Sequence, residues 1–89
     1  MLFFEFDPQK SASNKIKHGI DFVEAQALWR SARIELDAKD AAEKRYLVIG
    51  TIGKGHWSAV ISYRGMTIRI ISVRKSTPRE IEVYAKTVR

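Results

Sequence analysis

Between residues 45 and 73 the chain carries three runs rich in Val, Ile, Thr and aromatic residues, with glycine in both gaps between them. Branched and aromatic side chains fit a pleated, half-buried surface, so residues 45–52, 56–63 and 66–73 each predict a β-strand. Gly53, Lys54 and Gly55 supply the first turn, and Arg64 with Gly65 the second, since glycine takes the positive φ that tight hairpins need. Turns this short join antiparallel neighbours. A meander of three strands follows, and a chain of 89 residues has room for one core built against it.

The flanking segments supply the rest. Residues 2–6 are apolar and aromatic and predict a short strand, while residues 33–37 alternate in the manner of an edge strand. Asp7 reads as an N-cap with Pro8 at the first helical position, and residues 9–18 follow as a weak helix with Ala12 and Ile16 as its apolar pair. Lys17 and His18 fall in its last turn, and Gly19 suits the left-handed residue that ends it. Asp21 and Glu24 form a variant capping box for a second helix, with Phe22, Ala25, Leu28 and Trp29 on one face. Residues 39–44 are small and charged and predict a loop. Thr77, Pro78 and Glu80 make a further capping box, after which Ile81, Tyr84, Ala85 and Val88 recur at helical spacing. The expected architecture is a small α+β domain: an antiparallel sheet with two N-terminal helices and one C-terminal helix. The helices would cover one sheet face and leave the other for a ligand.

Composition excludes several classes of function. With 45% hydrophobic and 29% charged residues the chain is neither disordered nor of low complexity. It has no cysteine, so disulfides, thiolate zinc sites and cysteine nucleophiles are excluded. No apolar run reaches the roughly 18 residues of a membrane span, and the opening residues are too soon charged for a signal peptide. The expected setting is the cytoplasm, without a membrane partner. The net charge of +6 is concentrated: residues 64–89 hold seven basic residues and two acidic ones, whereas residues 1–30 balance. A local basic field attracts polyanions, among them RNA, DNA, acidic lipid or an acidic protein segment.

The densest basic cluster is Arg69, Arg74, Lys75 and Arg79, ending at the start of the last helix. Arginine bonds two phosphate oxygens at once, and a helix N-terminus adds free N–H groups. A plainer reading pairs Arg69 with Glu35, Asp37 or Glu80 and leaves Arg74 and Lys75 solvated. Glu80 reads first as the capping carboxylate, with orientation of Arg69 or Arg74 as its second role. His18 and His56 are the two residues of the type whose unperturbed pKa lies near neutrality. Either suits proton transfer in RNA cleavage, which takes a proton from a 2′-hydroxyl and gives one to a leaving 5′ oxygen. Two histidines 38 residues apart make a poor metal site. Trp57, Tyr46 and Tyr63 are candidates to stack on bases, while Trp29 and Tyr84 fall on apolar helix stripes. There is no P-loop, no dinucleotide-binding glycine motif and no serine-hydrolase elbow.

Three ordered blocks resemble a known family. Phe4, Glu5, Phe6, Asp7 and Pro8, then Asn14, Lys15, Ile16, Lys17, His18, Gly19 and Ile20, are similar to the opening of the BrnT toxins of type II toxin–antitoxin systems. Arg45 to Gly50 is similar to that family's central strand, and Gly65, Arg69, Ser72, Arg74, Lys75, Glu80 and Tyr84 to its closing motif. Many members carry an acidic stretch with a histidine before the central strand; residues 36–42 contain none. The resemblance implies a RelE-like fold and a ribosome-independent endoribonuclease. It also implies a cognate ribbon-helix-helix antitoxin (BrnA-like), with operator DNA bound only through the toxin–antitoxin complex. On this reading Arg69, Arg74, His18 and Tyr84 are catalytic, and Lys17, Lys75, Arg45 and Arg79 contact RNA. Glu80 orients an arginine, and no metal or other cofactor is needed. Two other readings fit the same residues. One is a basic module that binds nucleic acid or an acidic partner without cutting. The other is a structural subunit that docks a partner at the 33–37 edge or on the last helix.

Overall fold

The structure is a computed structural model and describes residues 2–38 and 43–88. The meander forms as its sequence dictates: β3 is Arg45–Ile52, β4 Gly55–Arg64 and β5 Thr67–Lys75. Both hairpin turns use a glycine at positive φ, Gly53 at 60° and Gly65 at 59°. β2, Arg33–Ala38, joins the β3 side as an edge strand, and β1, Phe3–Glu5, joins the β5 side. The five strands run in the order β1-β5-β4-β3-β2. The loop expected at residues 39–44 lies largely outside the described residues.

Three expectations need correction. The sheet is mixed rather than antiparallel, because β1 pairs with β5 in parallel, Phe3 to Thr67 through Glu5 to Arg69. A parallel pairing needs a long crossover, and no local pattern in three residues reveals its direction.

The second expected helix is a 3-10 helix, Glu24–Arg30. Its entry box is as expected: the Asp21 carboxylate accepts from the Val23 and Glu24 amides, and Glu24 accepts from the Asp21 amide. Phe22, Ala25 and Leu28 recur every three residues and all are buried, which is the period of a 3-10 helix rather than an α-helix. Gly50 lets this helix press onto β3, since a Cβ there would come within 3.1 Å of Leu28.

The first helix, α1, Pro8–His18, is capped by Asp7 and ended by Gly19 at φ 79°, as expected. Ala12 and Ile16 face solvent, Ile16 at 87% exposure, and the buried residues are Ser11 and Asn14. The reason is hydrogen bonding. β1 is too short to pair with all of β5, so the Val73 backbone lies at an open edge. Asn14 donates to the Val73 and Ile20 carbonyls and accepts from the Val73 amide. Ser11 accepts from the Phe22 amide. The helix seats itself by satisfying backbone groups that burial would otherwise leave unpaired.

The third correction is that the helices do not share one sheet face. The 3-10 helix supplies Phe22, Ala25, Leu28 and Trp29 to a core with Val48, Ala59, Ile61, Ile68, Ile70 and Val73. The last helix, α2 (Pro78–Thr87), is held to Ser58 and Arg74, which by strand alternation point to the opposite face. Its capping box between Thr77 and Glu80 is present as expected. Ile81, Tyr84 and Val88 are half-buried and Ala85 is exposed, so the helix covers part of the face, over β2 and β3, where Ile34 pairs with a buried Ile49.

Candidate functional site

The face of the sheet opposite the core carries the basic cluster, and a register shift puts it there. Arg69 and Arg74 are five residues apart, so strict alternation would send them to opposite faces. Val60 pairs with Ser72 and Ile61 with Ile70, leaving Ile71 as an extra residue in β5. Beyond it the alternation resumes one step out of phase. Arg69, opposite Ser62, and Arg74, opposite Ser58, therefore share a face. Lys75, the next residue, pairs with Trp57 and turns to the other side.

Arg74 is gripped by Glu80. Its two terminal nitrogens donate to the two carboxylate oxygens at 2.7 and 2.8 Å, and one also donates to the Lys75 carbonyl at 3.2 Å. The Glu80 Oε1 accepts in addition from the buried Ser58 hydroxyl at 2.9 Å and from the Thr77 amide at 2.9 Å. Bonding to Arg74 is the main reason the Glu80 carboxyl is held down at about 2, against the opposing push of burial, with Thr77 and Ser58 adding to the depression. The same bonding raises Arg74 above its ordinary value. Glu80 is thus both the helix cap and the orienting group of Arg74. Three of the five guanidinium donors are used, which leaves two for an anion.

Arg69 pairs with Glu5 on β1 at 2.7 Å, and Arg64 approaches the same carboxylate oxygen at 3.8 Å. Glu5 was not among the expected partners of Arg69. An acidic residue between Phe4 and Phe6 in a first strand was the signal, but its neighbour across the sheet depended on the parallel pairing. Ser62, 3% exposed and in register with Arg69, has no hydrogen-bond partner among the described residues. Arg45 is half-buried at the start of β3, one step beyond the Tyr46–Ile61 pair and so in the row of Ser62 and Arg69.

Tyr84 stands one helical turn after Glu80 and donates its hydroxyl to the Ala32 carbonyl at 3.1 Å. Its ring meets the His56 imidazole edge-on, with centroids 5.3 Å apart and planes at 79°. The structure therefore brings Arg69, Arg74, Glu80 and Tyr84 to one face, with His56, Ser58 and Ser62 among them. His18 and Lys17 are exposed at the end of α1 and have no side-chain hydrogen bond, ion pair or ring contact among the described residues. Arg79 is exposed on the first turn of α2, near Glu82 at 3.6 Å. Of the stacking candidates, Trp29 packs on Phe4 and Trp57 on the core, while Tyr46 and Tyr63 pair at 5.4 Å on the core-facing side of the sheet. Among the described residues no three His, Asp or Glu side chains converge as a metal site would require.

One sheet face thus carries Arg69 and Arg74, each paired with a carboxylate, and the buried Ser58 and Ser62 opposite them. Residues 6–80 match the family model described as the ribonuclease toxin, BrnT, of type II toxin–antitoxin systems, and the chain belongs to that family. Its fold is similar to the crystal structure of the Brucella abortus ribonuclease toxin BrnT, at TM-score 0.66 and 22% identity over 86% of this chain and 99% of that one. No curated protein matches the sequence.

Proposed function

We propose that this chain is the toxin of a two-protein system. It acts as a metal-independent endoribonuclease that cuts RNA without the ribosome and so arrests translation and growth in the cytoplasm. The observation that carries the reading is the shared face of Arg69 and Arg74. On it Arg69 lies opposite Ser62, whose hydroxyl has no hydrogen-bond partner among the described residues, and Arg74 opposite Ser58, which donates to Glu80. Both arginines bind the RNA backbone, and the one at the scissile phosphate stabilises the charge that builds in the transition state. Arg45, Arg79 and Lys17 add charge around the face, and Tyr84 lines it. A cognate ribbon-helix-helix antitoxin, similar to BrnA, covers the face and carries the complex to operator DNA, and the fold relates to RelE-type toxins.

The test is to induce the chain in cells lacking the antitoxin and to follow growth and bulk RNA. Arrest with RNA loss is expected, and the Arg69→Ala/Arg74→Ala protein should abolish both while remaining folded. Intact RNA and normal growth with abundant folded protein would overturn the nuclease reading. That outcome would favour a non-catalytic binding module, for which the pairing of both arginines with carboxylates is the supporting observation.

A further inference from the structure

We infer that His56, not His18, is the general base of the cleavage reaction; the inference rests on the ribonuclease reading. His56 begins the face-bearing stretch of β4, in register with Thr51 and two residues before Ser58, so its side chain shares a face with Arg74. Its backbone is fixed, the carbonyl accepting from the Ser76 amide at 3.0 Å, and its ring is held against Tyr84. Among the described residues neither ring nitrogen is engaged in a hydrogen bond, so the lone pair of the neutral imidazole is available to a substrate.

The other groups on this face suit the role less well. Glu80 spends its oxygens on Arg74, Ser58 and Thr77 and is a weak base in that setting. Tyr84 spends its proton on Ala32 and positions the ring. The titratable and charged groups facing His56 are Tyr84 and Glu80 from α2 and Arg74 from β5; Thr51 from β3 carries no charge, and Lys54 in the preceding turn is exposed.

The step balances with RNA and water, the hydroxide left by the water taking back the proton that His56 removes. His56 takes the 2′-hydroxyl proton, and the 2′ oxygen bonds to the adjacent phosphorus. The bond from phosphorus to the 5′ oxygen breaks, and the departing oxygen takes a proton from water. The products are a 2′,3′-cyclic phosphate and a 5′-hydroxyl. Arg74, on the same face of the sheet, meets the charge on the phosphoryl oxygens.

The experiment is cleavage of an RNA oligonucleotide by the purified chain across the histidine titration range. The wild-type rate should climb with pH, as a base that must be unprotonated requires. His56→Asn should fall about 10²–10⁴-fold and lose that climb, which a merely structural role would not remove. His18→Asn should lose far less. His56→Asn cleaving with the wild-type rate and profile, or His18→Asn proving the more damaged, overturns the assignment and leaves the arginine reading standing. Wild-type protein that does not cut, or that cuts regardless of Arg69→Ala/Arg74→Ala, overturns both. Should the variant fail to fold, imidazole NMR signals of the wild type are followed as 2′-O-methyl RNA is added. His56 shifting more than His18 is expected, and the reverse order overturns the inference.

Discussion

Glu80 closes a two-pronged ion pair on Arg74, at 2.7 and 2.8 Å, while the same carboxylate caps α2 through the Thr77 amide. One side chain therefore links the basic face to the start of the last helix. Glu80→Gln keeps an oxygen for the cap and removes the charge. It should cost about 1–2 kcal/mol in urea unfolding at neutral pH, the range for a charged hydrogen bond reduced because Arg74 is 40% exposed. The Glu80 carboxyl is lowered in the folded state to about 2, from an ordinary 4.5. Its contribution is then complete above the ordinary value and disappears as pH falls from there through about 2. The wild type should lose stability over that window, and Glu80→Gln should lose less of it.

Asn14 does for β5 what another strand would do. Asn14→Ala leaves the Val73 amide and carbonyl and the Ile20 carbonyl without their partner, and should cost about 2–4 kcal/mol by chemical denaturation. Asn14→Asp keeps an acceptor for the amide but loses both donated bonds and buries a charge, so it should be no better than alanine. An aspartate variant as stable as the wild type would contradict this account of the edge.

Ile70 and Ile71 are neighbours, and the sheet needs only one of them for its ladder. Deleting one should restore regular pairing while leaving Arg69 and Arg74 an even number of residues apart, hence still on one face. The shortened chain should fold and still bind RNA, with a stability loss of about 1–3 kcal/mol from the altered packing. Chemical denaturation reads the stability loss, and filter or fluorescence titration with RNA reads the retained binding.

Binding to 2′-O-methyl RNA should weaken linearly on a log–log plot against salt, with a slope near −0.7 per phosphate neutralised. Arg69→Ala and Arg74→Ala should each flatten that slope by about 0.7. A slope that neither substitution alters would show that the backbone is held elsewhere.

Much of the fold was legible because its signals are local. The limits of β3, the glycine turns and both α-helix caps follow from side chains within a few residues of each other. What was hidden depends on distant chain. The direction of β1 rests on Thr67–Arg69, and the seat of α1 rests on Val73, 59 residues from Asn14. The site divides the same way. Arg74, Glu80 and Tyr84 could be grouped from helix spacing, but Glu5, Ser62 and His56 join them only through strand pairing. The bulge was invisible to alternation, which by itself sends Arg69 and Arg74 to opposite sides.

The parallel seam between β1 and β5 also sets when the face can exist during synthesis. Glu5 leaves the ribosome long before Arg69, its partner 64 residues later, has been made. The first strand must wait without its neighbour, and no shorter nascent chain can carry the paired Arg69. The basic face is therefore completed only when β5 has been made, late in synthesis.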